Sequence, residues 1–359
     1  MDCCLSYAKS SFTTLPAAAV FRRPITFCAR RRPSSVVASS RSASRCEFSG
    51  LSAPLVPTTP AGRFLTGVLL DNPGNFQITA MEELRRLAAE RDVVAARLQL
   101  SLGSDEACLH RRIAELKQNE RQNEVEDIMY MMILHKFSEM RVHLVPKLSK
   151  CVYKGRFEIW PSKEWELESI HSFEVLQMVR EHLSAVIGCK GNANVTDTWV
   201  TTKIQRLRLC RLYAASILYG YFLKSASLRH FLERILNTST SNFSIGGQGQ
   251  SQLPVSEIFS VESNVIGCVG QISQENLGFY VMGFDQEMIQ MCAKPKSIEA
   301  MNLIERHSCA LFGDEVTTDD VITTSFASLK RFLLEAVDFG SFLWESENSV
   351  SDVYMLDEN

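Results

Sequence analysis

Two residue pairs have the spacing of metal ligands on a helix. Glu168 and His171 form a Glu-x-x-His, which sets both side chains on one helical face, as in di-iron carboxylate bundles. Such a site needs a second copy of the motif and two further glutamates, but the second half of the chain has Lys294 to Lys296 where that copy would stand. Glu139 and His143, at i and i+4, form the other pair, and a contact on a helix surface is the simpler account of them. His182 and His307 hold matching places in two similar segments and belong to the residue type that titrates near neutral pH. Their neighbours differ, Glu181 in one case and Arg306 in the other, so no catalytic partner recurs and a packing role at a helix interface is expected. GxSxG, HExxH and GxGxxG patterns are absent, and the GGQG at 246–249 lacks the Lys-Ser/Thr of a phosphate loop. The sequence therefore names no catalytic residue, no metal and no cofactor.

One charge asymmetry remains. Between residues 203 and 236, Lys203, Arg206, Arg208, Arg211, Lys224, Arg229 and Arg234 face a single acid, Glu233. Lys203, Arg206, Arg208 and Arg211 are the candidate anion site, for phosphate, a lipid headgroup or RNA. The competing expectation pairs these cations with Glu164, Glu166, Glu168, Glu174 and Glu181 of the preceding segments.

The cations sit on the strongest helical stretch in the chain. From 209 to 235, apolar and small residues recur at i, i+3, i+4 and i+7, which predicts a helix over 203–236 with one buried face. Leu212 to Leu223 is a run of only twelve uncharged residues, too short for a bilayer, which needs about 20. Gly220 interrupts that run, where glycine costs about 1 kcal/mol relative to alanine; close approach of another backbone would offset it.

A second copy of the pattern lies nearer the C-terminus. Ser172 to Gly188 superposes on Ser297 to Gly313 with a shift of 125 residues, each segment opening at an N-cap serine and closing at a glycine. Leu209, Arg211, Gly220, Phe222 and Leu223 then fall on Leu329, Arg331, Gly340, Phe342 and Leu343 with a shift of 120. Self-similarity of this kind predicts a supersecondary unit used twice, here a helical hairpin. Gly220, Phe222, Leu223, Gly340, Phe342 and Leu343 are its expected packing residues.

The remainder divides by composition. Residues 1–46 hold eight basic residues, many serines and one acid, the composition of an organelle transit peptide, and a plastid address fits it best. Without them, 30 basic and 40 acidic residues leave a net charge of −10, which argues against a general nucleic-acid binder. The seven cysteines beyond the leader show no CxxC spacing and read as thiols in a reducing compartment. Residues 47–77 are expected to form an extended disordered arm, and 78–141 a helical arm opening at a Thr79/Glu82 capping box. Residues 142–236 form the first helical repeat, 237–260 a flexible linker, 261–346 the second repeat and 347–359 an acidic tail.

HKFSEMRVHLVPKLS, EIWPSKEWELESIHSFEVLQMVREHL, YGYFLKSASLRHFLE and LLEAVDFGSFLWESE, with the segment from Gly278 to Gly313, together give a resemblance. The chain resembles a plant and cyanobacterial family that is defined by a domain of unknown function and includes UV-B-induced chloroplast proteins. The resemblance implies stromal residence, a helical domain and expression linked to light or UV stress, and it supplies no catalytic residue. The combined expectation is a mainly α protein of two related helical hairpins packed together, preceded by an N-terminal helical arm. Its expected function is that of a non-catalytic stromal interaction or scaffold protein, with protein partners and a homo-oligomer through the arm. The alternatives are an anion or small-ligand binder using the basic face of 203–236, and an enzyme with a polar pocket between the hairpins.

Overall fold

Apolar periodicity of 3.6 dominates the chain, and a computed structural model places most of it in helices. Residues 52–101, 107–188, 200–243, 276–313 and 320–356 are described, all within one unit, Ser44–Asn359. The expected transit peptide, 1–46, lies outside the described residues, as does the greater part of the expected linker.

The chain opens with α1 (Pro60–Asp71), a short 3-10 turn (Pro73–Asn75), and the long pair α2 (Phe76–Leu100) and α3 (Ala107–Glu139). Then follow α4 (Leu148–Cys151), β1 (Val152–Tyr153), β2 (Arg156–Phe157), α5 (Glu164–Glu168), α6 (Phe173–Ile187), β3 (Thr201–Gln205) and α7 (Arg206–Phe243). The last third holds α8 (Leu277–Met282), α9 (Gln286–Ala293), α10 (Ile298–Phe312), β4 (Val321–Ser325) and α11 (Phe326–Ser351).

A helix–strand–helix order thus occurs in both halves, as α6–β3–α7 and α10–β4–α11. The serines that open α6 and α10 each accept a bond from a backbone N–H three residues on, Val175 for Ser172 and Ala300 for Ser297. Gly188 and Gly313, at φ 77° and 83°, close them in the left-handed region that favours glycine. β3 and β4 pair antiparallel, Thr201 opposite Ser325 through Gln205 opposite Val321, at one side of a small sheet of order β1-β2-β4-β3.

The most extensive helix contact is that of α7 with α11, and small residues set its closeness. A Cβ placed on Gly220 would overlap the Val337 carbonyl, and one on Gly340 would overlap the Ile217 carbonyl. Phe222, Leu223, Phe342 and Leu343 are all buried, but the two phenylalanines meet different neighbours: Phe284 for Phe222 and Phe137 for Phe342.

Several boundaries differ from the sequence expectation. Residues 60–71 are helical rather than extended. Thr59 caps the helix by accepting from Gly62 N–H at 3.1 Å, Pro60 presets its first φ, and Ala61, Leu65 and Leu69 are buried. α2 starts at Phe76, before the expected capping box, because the Thr79 hydroxyl donates to the Asn75 carbonyl instead of capping. Residues 201–205 form β3, so α7 begins at Arg206 and not at 203, and it runs on to Phe243 across the first part of the expected linker. The expected acidic tail is helical to Ser351, and Glu347 within it is fully buried. The arm at 78–141 is not separate from the core: Ile128 to Leu134 and Phe137 are buried, and α3 packs on α1, α10 and α11.

Candidate functional site

The interior carries more ionisable groups than its apolar stripes announce. On α11, Arg331, Glu335 and Asp338 are buried at successive turns. Arg331 donates to Glu335 at 2.8 Å, Val145 N–H donates to the other Glu335 oxygen at 3.0 Å, and His171 Nε2 lies 2.8 Å from Asp338 Oδ1. Across from them, Tyr213 of α7 meets His307 Nε2 of α10 at 3.0 Å, with the Tyr130 ring of α3 tilted against the same imidazole. Burial pushes His307 down to about 3 and Asp338 up to about 6, and it raises Glu335, Tyr130 and Tyr213 above their ordinary values. His307 is thus a neutral acceptor or donor at any physiological pH. With His307, Glu335 and Asp338 shut off from solvent, this group holds helices together and offers no access to a substrate.

The residues with ligand spacing are occupied in other ways. Glu168 is bound by Arg180 and Lys330, and His171 by Asp338, so their carboxylate and imidazole do not converge. Arg141, at φ 56°, turns the chain after α3 ends at Glu139, so His143 does not share a helical face with Glu139. Among the described residues no group of three or more His, Cys, Asp or Glu is placed to hold a metal ion. No helix of the described residues is long and apolar enough to cross a membrane.

The four anion candidates differ in setting. Lys203 is exposed on β3, and Arg208 and Arg211 are exposed on α7. Arg206 turns inward, donating to Asp320 at 3.2 Å and to the Phe312 carbonyl, where it caps the C-terminal end of α10. There it lines a cavity of about 330 Å³ with Lys147, Ser149, Arg306, Cys309 and Phe312. The Arg206 Nε is buried and without a partner. Arg306 donates to Glu126 and Asp127 at 2.6 and 2.8 Å. The acids expected to neutralise the basic stripe serve elsewhere: Glu164 pairs with Lys330, and Glu174 accepts from Leu277 N–H.

Sequence reasoning expected a homo-oligomer contact through the arm at 78–141 but did not find the exposed face on the α2–α3 pair. In α2, Glu83, Arg86, Glu90, Val93, Arg97 and Leu100 follow alternating spacings of three and four, which keep them on one side of the helix. In α3, Leu109, Ile113, Leu116, Glu120 and Glu124, spaced by four, three, four and four, likewise keep to one side. Arg86 bridges to Glu124 across the hairpin at 3.0 Å, so the two stripes share one face. Near the core that face is charged; toward the tip it is apolar and open. Val93, Leu100, Leu109, Ile113 and Leu116 are 51, 87, 59, 46 and 49% exposed. From Cys108 to Glu120 every residue of α3 is exposed except the half-buried His110 and Ala114. Heptad spacing on two adjacent helices was the available signal, hidden by the polar residues between.

On its geometry this is a mainly helical protein with a closed polar interior and an apolar face left open on the α2–α3 hairpin. The comparisons add a family. The family described as "Protein of unknown function (DUF760)" matches residues 108–236. The chain is 36% identical over 360 residues to a UV-B-induced chloroplastic protein of Arabidopsis thaliana, a match covering 92% of this chain and 84% of that protein. The chain belongs to this family. No solved structure matches it.

Proposed function

We propose that the protein is a non-catalytic interaction protein of the chloroplast stroma, linked to the response to light or UV stress, that docks its partner through the α2–α3 hairpin. The observation that carries this reading is the shared face of Val93, Leu100, Leu109, Ile113 and Leu116, whose exposure is of the kind that marks a binding surface. The Arg- and Ser-rich residues 1–46 and the chloroplastic, UV-B-induced relative support the compartment and the stress link. The test is cross-linking of the full chain in chloroplast extract, with and without Leu109→Glu and Ile113→Glu. The reading expects cross-links through α2 and α3 in the parent and their loss in the double variant; an identical cross-link map in both would overturn it.

A second reading moves the anion site to the cavity at Arg206, favoured by its unpartnered Nε beside Lys147 and Ser149. Titration with inorganic phosphate checks it. Binding that Arg206→Met abolishes supports the site, and no binding at millimolar phosphate removes it.

A further inference from the structure

Resting on that reading, we infer that the partner of the hairpin face is a second copy of this chain. The contact would be an isologous one in which two hairpins lie antiparallel with their tips overlapping.

The length of the hairpin allows this. On α2, Arg91 still reaches the core: it stacks over the Tyr354 ring at 5.0 Å and donates to the Met355 carbonyl. From Arg91 to Leu100 the helix advances about 14 Å. Two hairpins overlapping about the outer part of α2, with Leu100 of each reaching the level of the partner's charged stretch at Arg86 and Glu90, keep their cores at opposite ends.

The charge pattern selects the partner. Val93 lies midway along its stripe between Glu90 and Arg97, which are seven residues apart. Glu90 already accepts from Arg86 of its own helix at 2.6 Å, but its side chain is 52% exposed and has room for a second cation. A two-fold axis crossing the helices at Val93 brings Glu90 of each copy to Arg97 of the other, so one chain supplies both halves of each added ion pair. Leu116 lies level with Val93, because Arg86 and Glu124 are already paired across the hairpin, and it joins Val93 at the axis. Ile113, Leu109 and Leu100 then cover the aliphatic stems of the partner's charged residues. A single foreign helix could cover the apolar residues, but it would have no intrinsic reason to present charges in the reversed order.

Sedimentation of the full chain over a range of micromolar concentrations tests the inference. The parent is expected to be a dimer. The Leu109→Glu/Ile113→Glu variant is expected to raise the dissociation constant about tenfold or more with an unchanged circular dichroism spectrum. Glu90→Arg alone should weaken the dimer, and Glu90→Arg combined with Arg97→Glu should restore it. A monomeric parent overturns the second-copy inference; if its cross-links to another chloroplast protein still depend on Leu109 and Ile113, the docking reading stands. A dimer that survives the double glutamate variant places self-association elsewhere and also overturns the inference. If cross-links are unchanged as well, the docking reading falls with it.

Discussion

His307 stacks on Phe339 with ring centroids 4.2 Å apart and planes 26° from parallel. In the other half His182 stacks on Tyr219 at 4.1 Å and 13°. These are matching positions under the two sequence shifts, 125 and 120 residues. Each imidazole also meets a hydroxyl of α7: Tyr213 for His307 and Ser216 for His182. The second helix of the first half therefore serves both histidines.

Acid should destabilise the protein through these two rings. Burial pushes His182 down to about 4 and His307 to about 3, from an ordinary 6.5. Below about pH 6.5 the unfolded chain binds protons that the native state refuses, so stability falls as pH falls. Each histidine contributes a slope of about 1.4 kcal/mol per pH unit between its two values. Asp338, pushed up to about 6 by burial, acts in the opposite sense, since its native form takes a proton earlier than the unfolded one. Glu335, also raised by burial, acts with Asp338, while His143 is lowered by burial and by Lys163 and acts with the other two rings. Three histidines against two carboxyls leave a net loss, expected as a falling melting temperature from pH 7 to 5. His182→Gln should make that fall shallower. A melting temperature that does not change with pH in both proteins contradicts the assignment.

Gly340→Ala should cost about 3 kcal/mol or more in chemical denaturation, because the added methyl meets the Ile217 backbone, which has no rotamer to yield. Gly67→Ala is the control. It lies within α1 with no atom near its Cβ position, and alanine there should stabilise by about 0.5–1 kcal/mol. Equal effects at the two sites would rule out the close helix contact as the cause.

Glu347→Ala should be among the costliest single changes on α11. Its carboxylate accepts from the N–H and hydroxyl of Ser297, at 2.7 and 2.6 Å, and from the Tyr221 hydroxyl. Truncation leaves these buried donors unmatched, at about 1–3 kcal/mol for each. Urea unfolding should show the loss, with Tyr221→Phe costing only about 1 kcal/mol.

Asp127→Ala should loosen the start of the fold more than its centre. Asp127 Oδ2 accepts from Thr58 N–H, Thr59 N–H and the Thr59 hydroxyl at 2.9–3.0 Å, and its other oxygen accepts from Arg306. Hydrogen exchange across 58–71 should accelerate by about tenfold or more while α11 amides change far less. Uniform acceleration would mean that Asp127 supports the whole core instead.

These last two residues show where the sequence stops being readable. The ends of α6 and α10 are legible because a serine and a glycine act within one turn, and Gly220 stands out because nothing local excuses it. Glu347 looks like part of an acidic tail and Asp127 like one acid among many, since their partners lie 50 and 68 or more residues away. β3 is hidden by its length of five residues; its hydrogen-bond partners are in β4, more than a hundred residues on. The hairpin face is obscured because its apolar positions alternate with arginines and glutamates, although the heptad spacing itself is present in the residues.

The strand order has a further consequence. β4, from the second half, lies between β2 and β3, both from the first, while α7 and α11 press glycine against backbone carbonyl. Neither half can complete its own sheet or seal its own long helix. A chain severed between residues 243 and 276 should behave as a split protein, its two fragments insoluble when made alone and regaining a common cooperative melt when produced together.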